Sequence, residues 1–314
     1  IDKISLYDYF TSAFTLILYS TRLNESDYKN ASLIKKALSP LAALADGEIY
    51  NNAWKQYFEV MNSIGVLNSD LSSIVYVLKH ETRTEIDGNL GFWYCMDIYA
   101  LHPETIKVLI DDGKRPAYKI GLGIPVPAPH LEYVTINRED LGLPSGKPYD
   151  VYIQSHALNR LIERVDGILT GVLHFNLFHS LKRLKVSQNK KGEYLFEYHI
   201  FEKKVGYLCG VIVDDKIIIR TFLFLTNNGT PEGIKLHSNT GLMKEDKMYL
   251  AIDKLSSFIN SDIAKNDGVK NIFIQAGCES LFEIDTSVIF SAETLKEKSN
   301  ANLIAEYLKL GSNF

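Results

Sequence analysis

Residues 193–226 read EYLFEYHIFEKKVGYLCGVIVDDKIIIRTFLFLT. Glu193 to Phe201 and Val205 to Val213 each mix aromatic and β-branched residues in a two-residue alternation, the pattern of a half-buried strand. Asp214-Asp215 supplies a tight turn, and Lys216 to Thr226 is a third strand. Short links between successive strands make the three an antiparallel meander. Upstream, apolar residues recur at helical spacing from about Ile153 to Val165 and, across Asp166-Gly167, from Ile168 to about Leu184. Downstream, Asn227-Asn228-Gly229-Thr230-Pro231 ends the last strand, and Lys244 to Ile263 reads as a covering helix. The expected class is α+β, with a helix-plus-antiparallel-sheet domain over 151–268 that follows a helical N-terminal region.

Working outward, residues 1–90 read as helical. Leu6, Phe10, Phe14, Ile17 and Leu18 form one stripe, and Ala31 to Leu44 is interrupted at Ser39-Pro40, where proline removes a backbone donor. Tyr50 to Ile64 carries Trp54, Tyr57, Phe58 and Met61 at helical spacing, and Asn68-Ser69-Asp70 is a cap for a helix through Leu78. Residues 91–150 are mixed. Phe92 to Tyr99 has a strand's composition, His102-Pro103-Glu104 opens a short helix ending at Asp112-Gly113, and Leu131 to Ile136 is strand-like within a Pro/Gly-rich passage. A domain boundary is expected near Asp150. The extension 269–314 carries strands at Asn271 to Gln275 and near Glu283 to Phe290, then a helix from Ala292 to Leu310.

The chain has 314 residues, 46% hydrophobic and 23% charged, which excludes disordered, collagen-like and coiled-coil classes. Cys95, Cys209 and Cys278 lie far apart with no C-x-x-C pair, so neither a disulfide framework nor a zinc ribbon is expected, and a reducing, cytoplasmic location fits. The apolar run Tyr9 to Tyr19 is shorter than the roughly 20 residues of a membrane span, so no membrane partner is expected. The opening at Ile1 rather than Met is compatible with a removed leader. Net charge is −4, but 151–204 holds nine Lys and Arg against five Asp and Glu, about +4, leaving about −8 elsewhere. That asymmetry suits RNA or another polyanion locally.

Familiar signatures are absent. Gly142-Leu-Pro-Ser-Gly146-Lys147 is one residue short of a phosphate loop, with Pro148 where Ser or Thr belongs. Eight scattered histidines show no metal-ligand spacing, and neither G-x-S-x-G nor G-x-G-x-x-G occurs, so no metal or cofactor is expected.

What remains is Ser155-His156-Ala157-Leu158-Asn159-Arg160-Leu161-Ile162-Glu163-Arg164. At 100° per residue, His156, Arg160, Glu163 and Arg164 fall on one side, opposite Leu158, Leu161, Ile162 and Val165. An imidazole beside two guanidiniums suits phosphodiester cleavage, in which protons move while negative charge accumulates. The same face is equally the ordinary solvated side of a helix, held by an Arg160–Glu163 pair. Alternation places Arg220 on one face with Ile218, Phe222 and Phe224, where a charge needs an anion. Glu163 and a substrate phosphate are the two candidates. Thr221 points the opposite way.

The helix S-x-H-A-x-x-R-x-x-E-R, carried here by Ser155, His156, Ala157, Arg160, Glu163 and Arg164, followed by three antiparallel strands, resembles the small toxin-like RNase domains of the RelE and BrnT type. The resemblance covers 151–262. It implies metal-independent RNA cleavage with His156 as acid or base, Arg160, Arg164 and Arg220 on phosphate, and Glu163 orienting an arginine. Two features differ from those domains: some 150 residues precede the helix, and Ile168 to Leu184 adds a second helix before the sheet. The alternative is a non-catalytic binding or assembly protein that meets a protein partner through the aromatic Phe92 to Tyr99 stretch or the N-terminal helices.

Overall fold

A computed structural model describes residues 29–40, 47–86, 89–110, 113–259, 262–284 and 301–308. The chain is α+β. It divides into two compact units, one of residues 1–65 and 78–99, the other of 66–77 and 100–314. The described part of the first unit begins with α1 (Ala31–Leu38) and includes most of α2 (Gly47–Asn68). It also holds most of a two-stranded sheet of β1 (Val75–Ile86) and β2 (Asn89–Leu101). The expected helix through Leu78 is thus replaced by β1. Asp70 does accept from Ser72, but its backbone closes a tight turn with Ser73 and Ile74, and the run Ile74-Val75-Tyr76-Val77, β-branched and aromatic, then extends. The stripe from Leu6 to Phe14 and on to Leu18 lies outside the described residues.

The second unit is organised by a mixed sheet. Its strands are β3 (Thr105–Ile110), β4 (Gly113–Lys119), β7 (Thr135–Ile136), β8 (Tyr149–Gln154), β9 (Val186–Gln188), β10 (Tyr194–Ile200), β11 (Lys203–Val213) and β12 (Lys216–Phe224), with β5 (Gly121–Ile124) and β6 (His130–Tyr133) forming a separate hairpin. The order β3-β4-β8-β12-β11-β10-β9 contains the expected meander as β10 to β12, extended by strands on both sides. β12 and β8 are parallel, and β4 and β8 antiparallel, so the boundary expected near Asp150 falls within a sheet. The helix expected from His102 is β3 instead. Ile106 and Val108, two apart, pack in a small cluster with Ala117, Tyr152 and Ile218, a contact that only an extended chain makes with both.

β8 runs directly into α3 (Ser155–Arg164), and α4 (Thr170–Lys182) packs on β10, with the Tyr198 hydroxyl donating to Leu173 O at 2.9 Å. Beyond the meander come α5 (Pro231–Thr240), α6 (Lys244–Tyr249), α7 (Ser256–Ile259), α8 (Asp267–Ala276) and α9 (Ala301–Tyr307). The single helix expected over Lys244 to Ile263 is broken at Leu250–Leu255, where Ala251 adopts φ 54°. The strand expected at Asn271 to Gln275 is part of α8, because Asn266 caps that helix, accepting from Val269 N at 3.1 Å. Of the strand expected at Glu283 to Phe290, all but the first two residues lie outside the described set.

One local irregularity decides where the polar residues of β12 go. Cys209 lies opposite Thr221 and Gly210 opposite Ile219, so Arg220 has no opposite number and forms a β-bulge. Ile217 and Ile219 pack in the main core, and so do Phe222 and Phe224. The inward parity therefore switches from odd to even across the bulge, and Arg220 and Thr221 both turn away from that core. This corrects the expectation that Arg220 shares a face with Phe222 and Phe224 and that Thr221 points elsewhere.

Candidate functional site

β8 ends at Gln154, whereas its parallel neighbour β12 continues past Ile219 for five more residues, and α3 packs against β12. On the other flank of β8, Ala117 of β4 lies opposite Gln154, and Arg115 lies two residues further along. Arg115, Gln154 and Arg220 therefore come to one end of three adjacent strands. His156, in the first turn of α3, joins them. All four line a cavity of about 270 Å³, together with Thr221, Cys209 and Glu193. It lies beyond the carboxyl end of β8, where α3 begins, the kind of place at which open sheets offer ligands a crevice.

Each polar group has a defined setting. Glu193 leads into β10 from a loop organised by Asn189, whose side-chain nitrogen donates to the Glu193 carboxylate at 2.8 Å and whose side-chain oxygen Oδ1 accepts from Glu193 N at 3.0 Å. The carboxylate lies 3.9 Å from the Arg220 guanidinium. Burial, and then the Glu193 carboxylate, push the Cys209 thiol up to about 12. A thiol so held stays protonated near neutral pH, which removes Cys209 as a nucleophile. Gln154 is 3% exposed, and its Nε2 has no hydrogen-bond partner although it lines the cavity. A buried amide donor without an acceptor costs about 1–3 kcal/mol, so an acceptor delivered by a ligand recovers it.

No family model, curated protein or solved structure matches the chain.

A second cavity of about 260 Å³ shares His156 and Thr221 with the first and is lined in addition by Arg160, Arg164 and Lys244. A third, of about 230 Å³, continues past Lys244 to Asn228, Lys247 and Asp253. The three make one groove along the polar side of α3. Lys247, 2% exposed, ties down the groove's far wall by donating to Thr226 O at 2.7 Å, Gly233 O at 3.1 Å and the Asn228 amide oxygen. Burial pulls its ammonium down to about 8.

The five residues singled out from sequence separate into two kinds. His156, Arg160 and Arg220 offer exposed or half-buried side chains to the groove, whereas Arg164 lines it only as part of its buried wall. Glu163 lies 2.7 Å from Arg160 and 3.6 Å from Arg164, and Arg220 pairs with Glu193 instead. Arg164 is 6% exposed and forms a buried ion pair with Asp253, while its carbonyl accepts from Leu255 N at 2.8 Å. The face assignment is corrected at two positions: Arg164 is buried, and Ile162, expected in the core, is 39% exposed. Val165 closes the helix in the core, and Asp253 draws the neighbouring guanidinium in with it.

Sequence reasoning missed Arg115, Gln154, Glu193 and Lys244. Arg115 comes from a strand that was read as a breaker-rich link. Asn189 and Gly192, with φ 78°, are a turn signature that marked the loop before Glu193 without indicating what the loop carries. Among the described residues no group of three or more His, Cys, Asp and Glu is arranged to hold a metal ion, and no helix is long and apolar enough to cross a membrane.

Proposed function

We propose that the groove binds a phosphodiester chain and cleaves RNA by acid–base chemistry. The observation that carries this reading is one cavity lined by a carboxylate, an imidazole and two guanidiniums, with a buried amide donor lacking an acceptor. RNA carries its own nucleophile, the 2′-hydroxyl. A base must take its proton, an acid must protonate the departing 5′-oxygen, and cations must stabilise the charge that builds on phosphorus-bound oxygens. Glu193 suits the base, His156 the acid, Arg115 and Arg220 the phosphate, and Gln154 Nε2 a non-bridging oxygen. Arg160, oriented by Glu163, and Lys244 extend the cationic track to adjacent phosphates. Cleavage in this way leaves a 2′,3′-cyclic phosphate and a free 5′-hydroxyl.

The test is incubation with single-stranded and structured RNA in the presence of EDTA, with the product ends identified. Cyclic phosphate ends are expected, with rates at least about 100-fold lower for His156→Ala and Glu193→Gln. The absence of both cleavage and salt-dependent binding overturns the reading.

A further inference from the structure

A separate cavity of about 700 Å³ opens where α4 meets the turn between β10 and β11, and it shares no lining residue with the groove. Its floor is built from buried polar groups on α4. The Asn176 amide oxygen accepts from Phe201 N at 3.1 Å, and its nitrogen donates to Val172 O at 2.9 Å. Ser180 Oγ accepts from His199 N at 3.0 Å. The wall is aromatic: Phe175 and His179 have ring centroids 4.2 Å apart, and His199 Nε2 lies 3.3 Å from the Glu197 carboxylate. Burial moves both imidazoles toward their neutral form, in which each offers one donor and one acceptor.

The turn itself is the odd part. Phe201 and Glu202 hold φ 45° and 69°, the left-handed pair required by a two-residue hairpin turn. Asp214 and Asp215, at φ 45° and 56°, fill the same role between β11 and β12 with residues that tolerate it. A phenylalanine does not, and this one is also 41% exposed at the cavity edge. Both features lower stability, and backbone strain of this kind concentrates where a ligand is held. The rim adds cations: Lys185 is exposed, and Arg183 is 2.6 Å from Glu202.

We propose that this cavity binds a nucleotide, its base against Phe201 and Phe175 with edges read by His179 and His199, and its phosphate at Lys185 and Arg183. The volume lies within the range of small-molecule sites, about 300–1,000 Å³. The assignment does not rest on the reading of the groove.

Isothermal titration of the full chain with AMP, adenosine and inorganic phosphate tests it. AMP is expected to bind at least about tenfold more tightly than either fragment. Phe201→Gly should weaken AMP about tenfold by removing the stacking ring, yet raise the melting temperature, because glycine adopts the left-handed turn without strain. Lys185→Ala should weaken AMP and flatten its salt dependence. Unchanged AMP affinity in Phe201→Gly overturns the proposal, as does phosphate binding as tightly as AMP or no binding at millimolar ligand. Binding lost in Arg220→Ala but kept in Phe201→Gly overturns it too, by assigning the nucleotide to the groove.

Discussion

Arg160 and Arg164 stand one helical turn apart on α3, and the molecule treats them in opposite ways. Arg164 is closed off by Asp253, its side chain 8% exposed and that of its partner 5%. Arg160 pairs with Glu163 at the surface, with side chains 40% and 43% exposed, and faces an open groove. Arg220 resembles Arg160 rather than Arg164, since its carboxylate partner is 3.9 Å away and both side chains are more than a quarter exposed. Residue type and helical spacing are alike at the two helix positions. What separates fold from site is whether the protein itself supplies a buried counter-charge, and Asp253 is 89 residues further along the chain.

The largest effect expected is at the closed end. Asp253→Ala leaves a buried guanidinium unpaired and should cost about 3–5 kcal/mol in urea unfolding. A loss below about 1 kcal/mol would break the contrast, because Arg164 would then be as free as Arg160.

The next concerns His174, which is sealed with only the charge of Asp70 opposing the effect of burial. Leu71 N donates to its Nδ1 at 2.8 Å, its Nε2 has no partner, and burial lowers its pKa from 6.5 to about 4. In that interval the unfolded chain binds a proton that the folded chain refuses. Stability should therefore fall as pH drops from 6.5 toward 4, by at most roughly 3 kcal/mol, and level off below. His174→Gln should flatten this limb of a pH–stability curve, and an unchanged curve would locate the acid sensitivity elsewhere.

Smaller stability effects belong to the open end. Arg220→Ala should cost about 1 kcal/mol or less while RNA affinity falls and its salt slope drops by about one. A large stability loss with unaltered RNA binding would move Arg220 to the structural side. Arg160→Ala should change stability by about 0.5 kcal/mol or less, which thermal unfolding can check against its effect on RNA binding.

The two arginines also show what a linear reading can reach. The meander was legible because each strand alternates and Asp214-Asp215 names its own turn; α3 and α4 were legible from apolar spacing. The α8 segment read as a strand because Ile272-Phe273-Ile274 has strand composition, and the Asn266 cap outweighed it. The exposed His156 and Arg160 were legible because helical geometry is local. Arg115, Gln154 and Glu193 were not, since three strands and a loop meet only through sheet order. Nor was the fate of Arg164, which depends on a carboxylate that no spacing rule connects to it.

The bulge at Arg220 has a wider meaning. In a regular strand, a polar pair facing one side demands two positions with a core residue between them, and every side chain beyond keeps its assignment. A single inserted residue lets adjacent positions serve the same surface and hands the rest of the strand back to the interior in the opposite phase. A lineage could thus open a pocket in a finished sheet by gaining one codon, and shortening β12 by that one residue should erase the pocket while leaving Phe222 and Phe224 in the core.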